Sequence, residues 1–538
     1  MIGGADRPVA IMAGTGPGAK FRRSGWIAML CALALLWPWG AVLAGADAAI
    51  NRAIAAGVEG ETQELQAFYA ARGYRPAWRR AATLDALVEA ISRLAGDGLI
   101  PEHYRAAELA QRRRYLDRGA VEPEAEAAFD LRASRAWLTA LRDLHSGRRP
   151  PPDWQTAAEP FAAQEVSREL DAGHLAQTLA RLRPSDAEYR ALRAGLARYR
   201  EYLHRGGWAP LAEGPSLRPG TVDPRVAQLR DRLAAEGIGA APVAAPQYFD
   251  AGLATAVRDF QRRHLLEADG VVGVRTRTAL NIPAAARVAQ LRVALERSRW
   301  LAAVLPETHV LVDIAGYALS LVRDGQILWR TRVVVGRPSR PTPILRSEIA
   351  HLTFNPPWTV PPTILARDLL PKVRRDPGYL AREGIEVLDP AGVALDPYAL
   401  DWSRPGGWRL RQRPGGSNPL GRVVFRFPNR HLVYLHDTPA RELFELESRA
   451  ISSGCVRVEH ALELVRLLLD DQRHWSRTEI RAAVASGNTR SVALTRSMPL
   501  LLWYRTLGVG TGGEMLFQPD IYGRDPEVLA ALDRAPDW

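Results

Sequence analysis

Near residue 307 the spacing of apolar residues changes period, and that change limits the fold of this chain more than any other feature. Before it, apolar residues recur three and four positions apart, as in Leu84, Leu87, Ile91 and Leu94, the spacing of one helix face. After it come short β-branched runs, Val310 to Ile314, Ala318 to Val322 and Ile327 to Val335. Gly316 and Asp324-Gly325 fall between these runs, and Asp-Gly between apolar runs is a hairpin signal. The chain therefore reads as multidomain α+β. Its 538 residues suffice for about three domains. An apolar content of 47% with 24% charged residues is that of globular protein and excludes a disordered chain.

Turn signals divide the chain further. Residues 47–205 read as a helical scaffold broken at Arg72 to Pro76, Asp97-Gly98 and Ser146 to Pro152. A Gly- and Pro-rich linker spans 206–224, and a compact helical unit spans 225–283. In that unit Val226, Leu229 and Leu233 mark one helix face, and Leu253, Val257 and Phe260 another. Asp269-Gly270-Val271-Val272-Gly273 predicts a tight turn and then a helix capped near Thr276. The β part is assigned to 307–490, with a strand pair at Val423 to Phe427 and Leu432 to Leu435. Within it, residues 362–420 form an arginine- and proline-rich insertion, too long for a hairpin loop and expected to be a lid or subdomain. Residues 491–538 are expected to complete the scaffold.

Residues 1–46 have the order of an export segment: Lys20, Arg22 and Arg23, then an apolar run from Gly25 to Leu36, then small residues at Ala41, Ala44 and Ala46. A cleaved signal and a retained inner-membrane anchor both fit. The formal charge is +12 with only Lys20 and Lys372 as lysines. Codon bias toward arginine explains much of this, and attraction to an anionic polymer is the functional alternative. No aromatic-basic nucleic-acid motif is present, so the expected partner is in the envelope and not a nucleic acid.

The two cysteines are Cys31, inside the export segment, and Cys455. Loss of that segment leaves one thiol, which cannot form an internal disulfide. Cys455 sits in Ile451-Ser452-Ser453-Gly454-Cys455-Val456-Arg457-Val458. Nineteen positions earlier, Leu432-Val433-Tyr434-Leu435 delivers His436 at a strand end before Asp437-Thr438-Pro439. An imidazole can take the proton of a thiol and return it to a leaving amine. Arg457 adds positive potential. Val458, Leu462, Val465 and Leu469 predict a helix starting just after the cysteine, so that backbone N–H groups around Gly454 and Cys455, in the loop of Ser453 and Gly454, face an oxyanion. No metal-ligand spacing appears, and no metal or cofactor is expected.

These residues resemble a known family. Ser452 to Val458, with Tyr434 to Pro439 before it, is similar to the catalytic domain of the YkuD-type L,D-transpeptidases, in particular the large periplasmic YcbB-like subgroup. Phe354 to Pro361, Arg411 to Gly415, Pro519 to Gly523, Phe68-Tyr69 and Gly73 to Trp78 fit the same subgroup. Phe260-Gln261, Asp269 to Gly273 and Thr276 to Leu280 resemble a peptidoglycan-binding domain, with a plain structural module as the alternative. The resemblance implies a helical scaffold, a three-helix peptidoglycan-binding module and a mostly-β catalytic domain with a capping insertion. It implies Cys455 as nucleophile, His436 as proton acceptor and donor, and Arg457, Tyr434 and Trp358 at the substrate. The implied substrates are peptidoglycan stem peptides, a tetrapeptide donor that releases D-alanine and a diamino-acid amine as acceptor, giving 3-3 crosslinks in the periplasm. Cell-wall synthases are candidate partners. Many relatives carry Ser-His-Gly-Cys where Ser453 stands here. A thiol peptidase using water, and a wall-binding scaffold with an inert thiol, are the alternatives.

Overall fold

The computed structural model describes residues 47–115, 122–151, 161–239, 243–404, 406–470 and 474–536. The expected export segment and Cys31 lie outside the described residues.

The N-terminal part is helical, as its period predicts. Its core gathers Trp78, Leu84, Leu87, Ile91 and Leu94 against Trp137, Leu141 and Leu144 of the long helix Pro123–Ser146. Buried Asp130 on that helix accepts hydrogen bonds from the Tyr69 hydroxyl (2.6 Å) and from the N–H groups of Ala77 and Trp78 (2.8 and 2.9 Å). One carboxylate thus fixes the Gly73 to Trp78 turn.

The small module has helices Pro224–Ala235, Ala251–Arg263 and Val274–Leu280 around Val226, Leu229, Leu253, Val257 and Phe260. Gln261 explains the Asp-Gly turn: its Nε2 donates to Asp269 (2.8 Å) and Val271 O (3.0 Å), and its Oε1 accepts from Gly270 N–H (2.8 Å). The third helix starts at Val274 without a side-chain cap, because its N-cap position is Gly273; Thr276 lies inside the helix and its hydroxyl turns back to Val271 O.

Residues 284–306, which the sequence left unassigned, hold the helix Ala284–Ala302. It packs along Ala187–His204 and buries Arg287, Glu296, Arg297 and Arg299. Their charges are largely answered inside the protein, as in Arg299–Glu296 (2.6 Å) and Arg297–Asp525 (2.6 Å). A helix whose buried face carries paired charges shows little apolar period, which hides it from the sequence pattern.

The β domain opens with β1 (His309–Asp313), β2 (Ala318–Arg323), β3 (Gln326–Gly336) and β4 (Leu345–Phe354). The chain then leaves for the insertion, which has its own sheet of β5 (Trp358–Thr359), β6 (Ile385–Leu388), β7 (Ala394–Leu395) and β8 (Arg409–Gln412), ordered β5-β8-β6-β7. Val373, Leu380, Val387, Trp402 and Leu410 give it a separate core, so the insertion is a subdomain. It returns into β9 (Val423–Arg426), β10 (Leu435–His436), β11 (Ala450–Ser452), β12 (Val456–Val458) and β13 (Arg490–Trp503).

The large sheet runs β11-β3-β12-β10-β9-β4-β13-β1-β2, and β3 also pairs β2, so the sheet closes on itself. Closure through β3 and β2 leaves β11, paired with β3 alone, at an edge. β13 is central, parallel to β1 and antiparallel to β4. The boundary expected at 490 is therefore corrected: the catalytic sheet continues to Trp503. Only beyond it does the chain return to the helices. The hairpin β14 (Leu507–Val509) and β15 (Met515–Phe517) joins Tyr189, Leu196 and Leu291 in one core, and Leu532 of helix Asp525–Asp533 enters the scaffold core.

A second correction concerns the segment after the cysteine. Val456 to Val458 is strand, and the helix begins only at Ala461. Val456 and Val458 both enter the sheet core while Arg457 between them does not. That is period 2, which a three-residue run hides beside the helical period that follows.

Candidate active site

Strand alternation assembles the site. β10 and β12 are parallel neighbours with Leu435 beside Val456 and His436 beside Arg457. Leu435 and Val456 point into the core. Their flanking residues, Tyr434 and His436 on one strand and Cys455 and Arg457 on the other, therefore share the opposite face. Four of the seven site residues expected from sequence come together in this way.

The thiol of Cys455 is half-buried and its hydrogen-bonding partner is Tyr434, through both main chain and side chain. Burial pushes the thiol above its ordinary range, and the Tyr434 contacts and the Arg457 charge pull it back only in part. The Tyr434 hydroxyl is itself pushed well up by burial and by the neighbouring sulfur, and the Trp358 side chain hydrogen-bonds to it. Trp358 belongs to the insertion sheet through β5. A chain of contacts thus runs from the subdomain through Trp358 and Tyr434 to the thiol.

His436 is buried. Its Nδ1 lies 2.5 Å from Asp437 O, and Pro419 supplies a second main-chain contact. Burial and Arg457 lower its pKa to about 3, so the imidazole is neutral at physiological pH. The structure does not join imidazole and thiol by a hydrogen bond: the ring meets main-chain carbonyls and the edge of Tyr434, 5.7 Å between ring centroids. The adjacent Asp437 does not orient the ring with its side chain. Its carboxylate accepts from Arg422 N–H (2.8 Å) and Arg441 (2.5 Å).

The Arg457 guanidinium is largely buried, its pKa lowered by desolvation, and its Nε has no partner among the described residues. Glu442 is the nearest acidic influence on it. A buried cation without a bound counter-charge is costly, and this one stands beside the thiol.

The loop before Cys455 is held from several sides. Ser452 Oγ donates to Cys455 O (2.6 Å) and accepts from Gly454 N–H (3.1 Å). Thr342 Oγ1 donates to Gly454 O (2.9 Å). Arg340 donates to Ser453 Oγ (3.0 Å) and pairs with Asp368 of the insertion (2.5 Å). The Tyr522 hydroxyl donates to Gly336 O (2.6 Å) and accepts from Thr342 N–H (3.1 Å). Gly454 has φ +112°, where an L side chain is strained although the space is open. Gly454 N–H is engaged by Ser452 Oγ, whereas the Cys455 N–H has no partner among the described residues; Arg340 holds the Ser453 hydroxyl and not its N–H. Ser452, Arg340, Thr342, Asp368 and Tyr522 were not identified from sequence. Ser452 and Tyr522 lie in motifs noted there, Ser452 to Val458 and Pro519 to Gly523, but without a role of their own.

Fold and site together define a class: a helical scaffold and a small three-helix module carrying a closed β domain, with a cysteine and a histidine on one sheet face under an inserted subdomain. Sequence comparison places that class. Residues 307–480 match the family model for the L,D-transpeptidase catalytic domain (YkuD), residues 63–196 the model for a scaffold domain, and residues 222–280 the model described as "Putative peptidoglycan binding domain". Residues 307–480 thus carry a YkuD L,D-transpeptidase catalytic domain, beside a scaffold domain and a peptidoglycan-binding domain. A curated Haemophilus influenzae protein described as "Putative L,D-transpeptidase" is 38% identical over 233 residues, 42% of this chain and 47% of that protein. The match thus spans about half the length of that relative. Among solved structures, an L,D-transpeptidase of Stackebrandtia nassauensis shows 14% identity over 55% of this chain and 97% of its own, at TM-score 0.20. One from Xylanimonas cellulosilytica shows 15% identity over 54% and 99%, at TM-score 0.18.

Proposed function

We propose that the protein is a peptidoglycan L,D-transpeptidase of the cell envelope that works through a thioester on Cys455. The observation that carries this reading is the shared face of Cys455, Tyr434, His436 and Arg457 beneath the insertion. The thiol is protonated at rest and the imidazole neutral, so the sulfur is activated during the reaction and not by a standing ion pair. His436 takes the thiol proton, directly or through one bridging water. The sulfur attacks the carbonyl that precedes the terminal D-alanine of a stem tetrapeptide, and the Cys455 N–H faces the oxyanion. The C–N bond breaks, the imidazolium returns its proton to the departing amine, and a thioester remains. The amine of a diamino acid on a second stem then attacks, losing its proton to His436. An amide forms and the thiol is restored. Arg457 meets a carboxylate of the donor.

The test is product analysis with purified disaccharide tetrapeptide. Crosslinked dimers that disappear in Cys455→Ala support the transferase, whereas free tripeptide alone means a hydrolase with water as acceptor. The insertion caps the donor site, and removing residues 362–420 lowers turnover while the closed sheet stays folded. Unchanged turnover overturns that role.

A further inference from the structure

A well-formed, largely apolar cavity of the described residues lies away from Cys455. It has a volume of about 400 Å³ and lies where three parts of the chain meet: the small module, the helix Ala284–Ala302 and the β domain with its C-terminal hairpin. Leu265, Leu266, Ile282, Phe517 and Ile521 make its walls largely apolar. Arg275 of the module and Glu447 of the β domain form an ion pair at its rim.

Three of the residues lining it carry buried polar atoms with no partner among the described residues: His264 Nε2, Arg287 Nε and Gln518 Oε1. All three side chains are more than nine-tenths buried. Each atom has a defined need. His264 Nδ1 lies 2.7 Å from Phe260 O and burial keeps the ring neutral, so Nε2 is a lone-pair acceptor. Gln518 Nε2 donates to Asp313 (3.0 Å), which leaves Oε1 as an acceptor. Arg287 Nε–H is a donor.

The charge ledger points the same way. Arg232 and Arg287 are both buried, and the acid facing them is Glu236, which is already paired with Arg232 at 3.1 Å. Arg287 makes only neutral contacts, to Gln290 (2.9 Å), to Ala279 O (3.3 Å) and over the face of Phe517 (4.1 Å). One buried positive charge is thus left over in the wall. Buried charge and buried unpaired donors each cost free energy, and native proteins keep few of them. Water alone fits poorly, since the volume exceeds that of several waters and most of the wall is apolar.

We propose that this cavity binds the carboxylate end of a small peptide or acylated amino acid. A carboxylate answers Arg287, an amide N–H answers Gln518 or His264, and small aliphatic side chains fill the apolar walls. The occupant touches both the module and the β domain, and so fastens one to the other. Its wall also reaches the cysteine loop: Ile521 precedes Tyr522, whose hydroxyl supports Thr342 and through it Gly454. The site is independent of the chemistry proposed for Cys455.

The test uses the full chain with Cys455 blocked by iodoacetamide, titrated with N-acetyl-alanyl-alanine in its L,L and D,D forms and with the matching C-terminal amides, by calorimetry and ligand-observed NMR. The expected result is saturable binding of one carboxylate form, weakened about tenfold or more in the amide, the loss of one charge-assisted contact. Arg287→Met is expected to abolish it. Since Arg287 is buried and its variant can lose stability, Thr278→Trp at the exposed rim gives a second variant that fills the mouth and leaves Arg287 in place. Binding that is absent for all probes, equal for acid and amide, or intact in both variants overturns the proposal.

Discussion

Replacing Tyr434 with phenylalanine removes one hydroxyl and isolates its effect on the thiol. The hydroxyl faces Cys455 and receives the Trp358 contact. Because its own ionisation is pushed well up, it remains a neutral phenol and can donate to a thiolate. A hydrogen bond to a charged group contributes about 1.5–3 kcal/mol, equivalent to about one to two pK units on the thiol. The Tyr434 main-chain contact survives the substitution, so the lower end is expected. The assay is the rate of Cys455 alkylation by iodoacetamide, followed by intact mass from pH 6 to 10. In the parent protein the rate rises throughout the neutral range without an acid plateau, because the thiol is raised and His436 is neutral. In Tyr434→Phe the same curve shifts to higher pH, and the rate at pH 7 falls about 10-fold or more. An unchanged rate at pH 7 refutes Tyr434 as the thiol's donor. An acid plateau in the parent refutes the neutral resting pair.

Gly454→Ala meets no side chain or backbone closer than 3.6 Å, so its cost is the φ of +112° alone; about 1–3 kcal/mol is expected as lower stability in urea with impaired turnover, and a neutral effect on both contradicts the loop geometry. Buried His436, with its pKa lowered to about 3, gives a signed pH effect. Unfolding lets it take a proton at its ordinary pKa of about 6.5, so stability is full above that value and declines as pH falls from about 6.5 toward 3. His436→Gln reduces this acid sensitivity in urea titrations, and an identical pH profile contradicts it. Asp368→Ala frees the insertion from Arg340, and turnover drops while alkylation of Cys455 by small iodoacetamide changes less than about twofold. Equal loss in both assays assigns Asp368 to fold maintenance instead.

Much of this organisation is legible in the sequence because each part follows one physical period. The helical half, the module and the strands β1 to β3 appear where their apolar spacing puts them. Cys455 and His436 were found because a lone thiol and a strand-end imidazole are chemically conspicuous. Other features are hidden for identifiable reasons. The helix Ala284–Ala302 buries charges that find partners up to 228 residues away, so no local pattern reveals it. Arg340 and Thr342 reach the cysteine loop across 113 and 112 positions. In an arginine-rich chain nothing local distinguishes Arg340 from its neighbours. The strand after Cys455 is hidden because three residues of alternation are too few to outweigh the helical run behind them.

The central claim is that Cys455 carries the acyl group between two stems. The direct measurement is peptide mapping of the full chain quenched in acid during turnover of a stem tetrapeptide, with D-alanine quantified in the same samples. The expected result is a tripeptide thioester on Cys455, D-alanine released in equal amount as it forms, and loss of both in Cys455→Ala. Release of D-alanine at an undiminished rate by Cys455→Ala would contradict it.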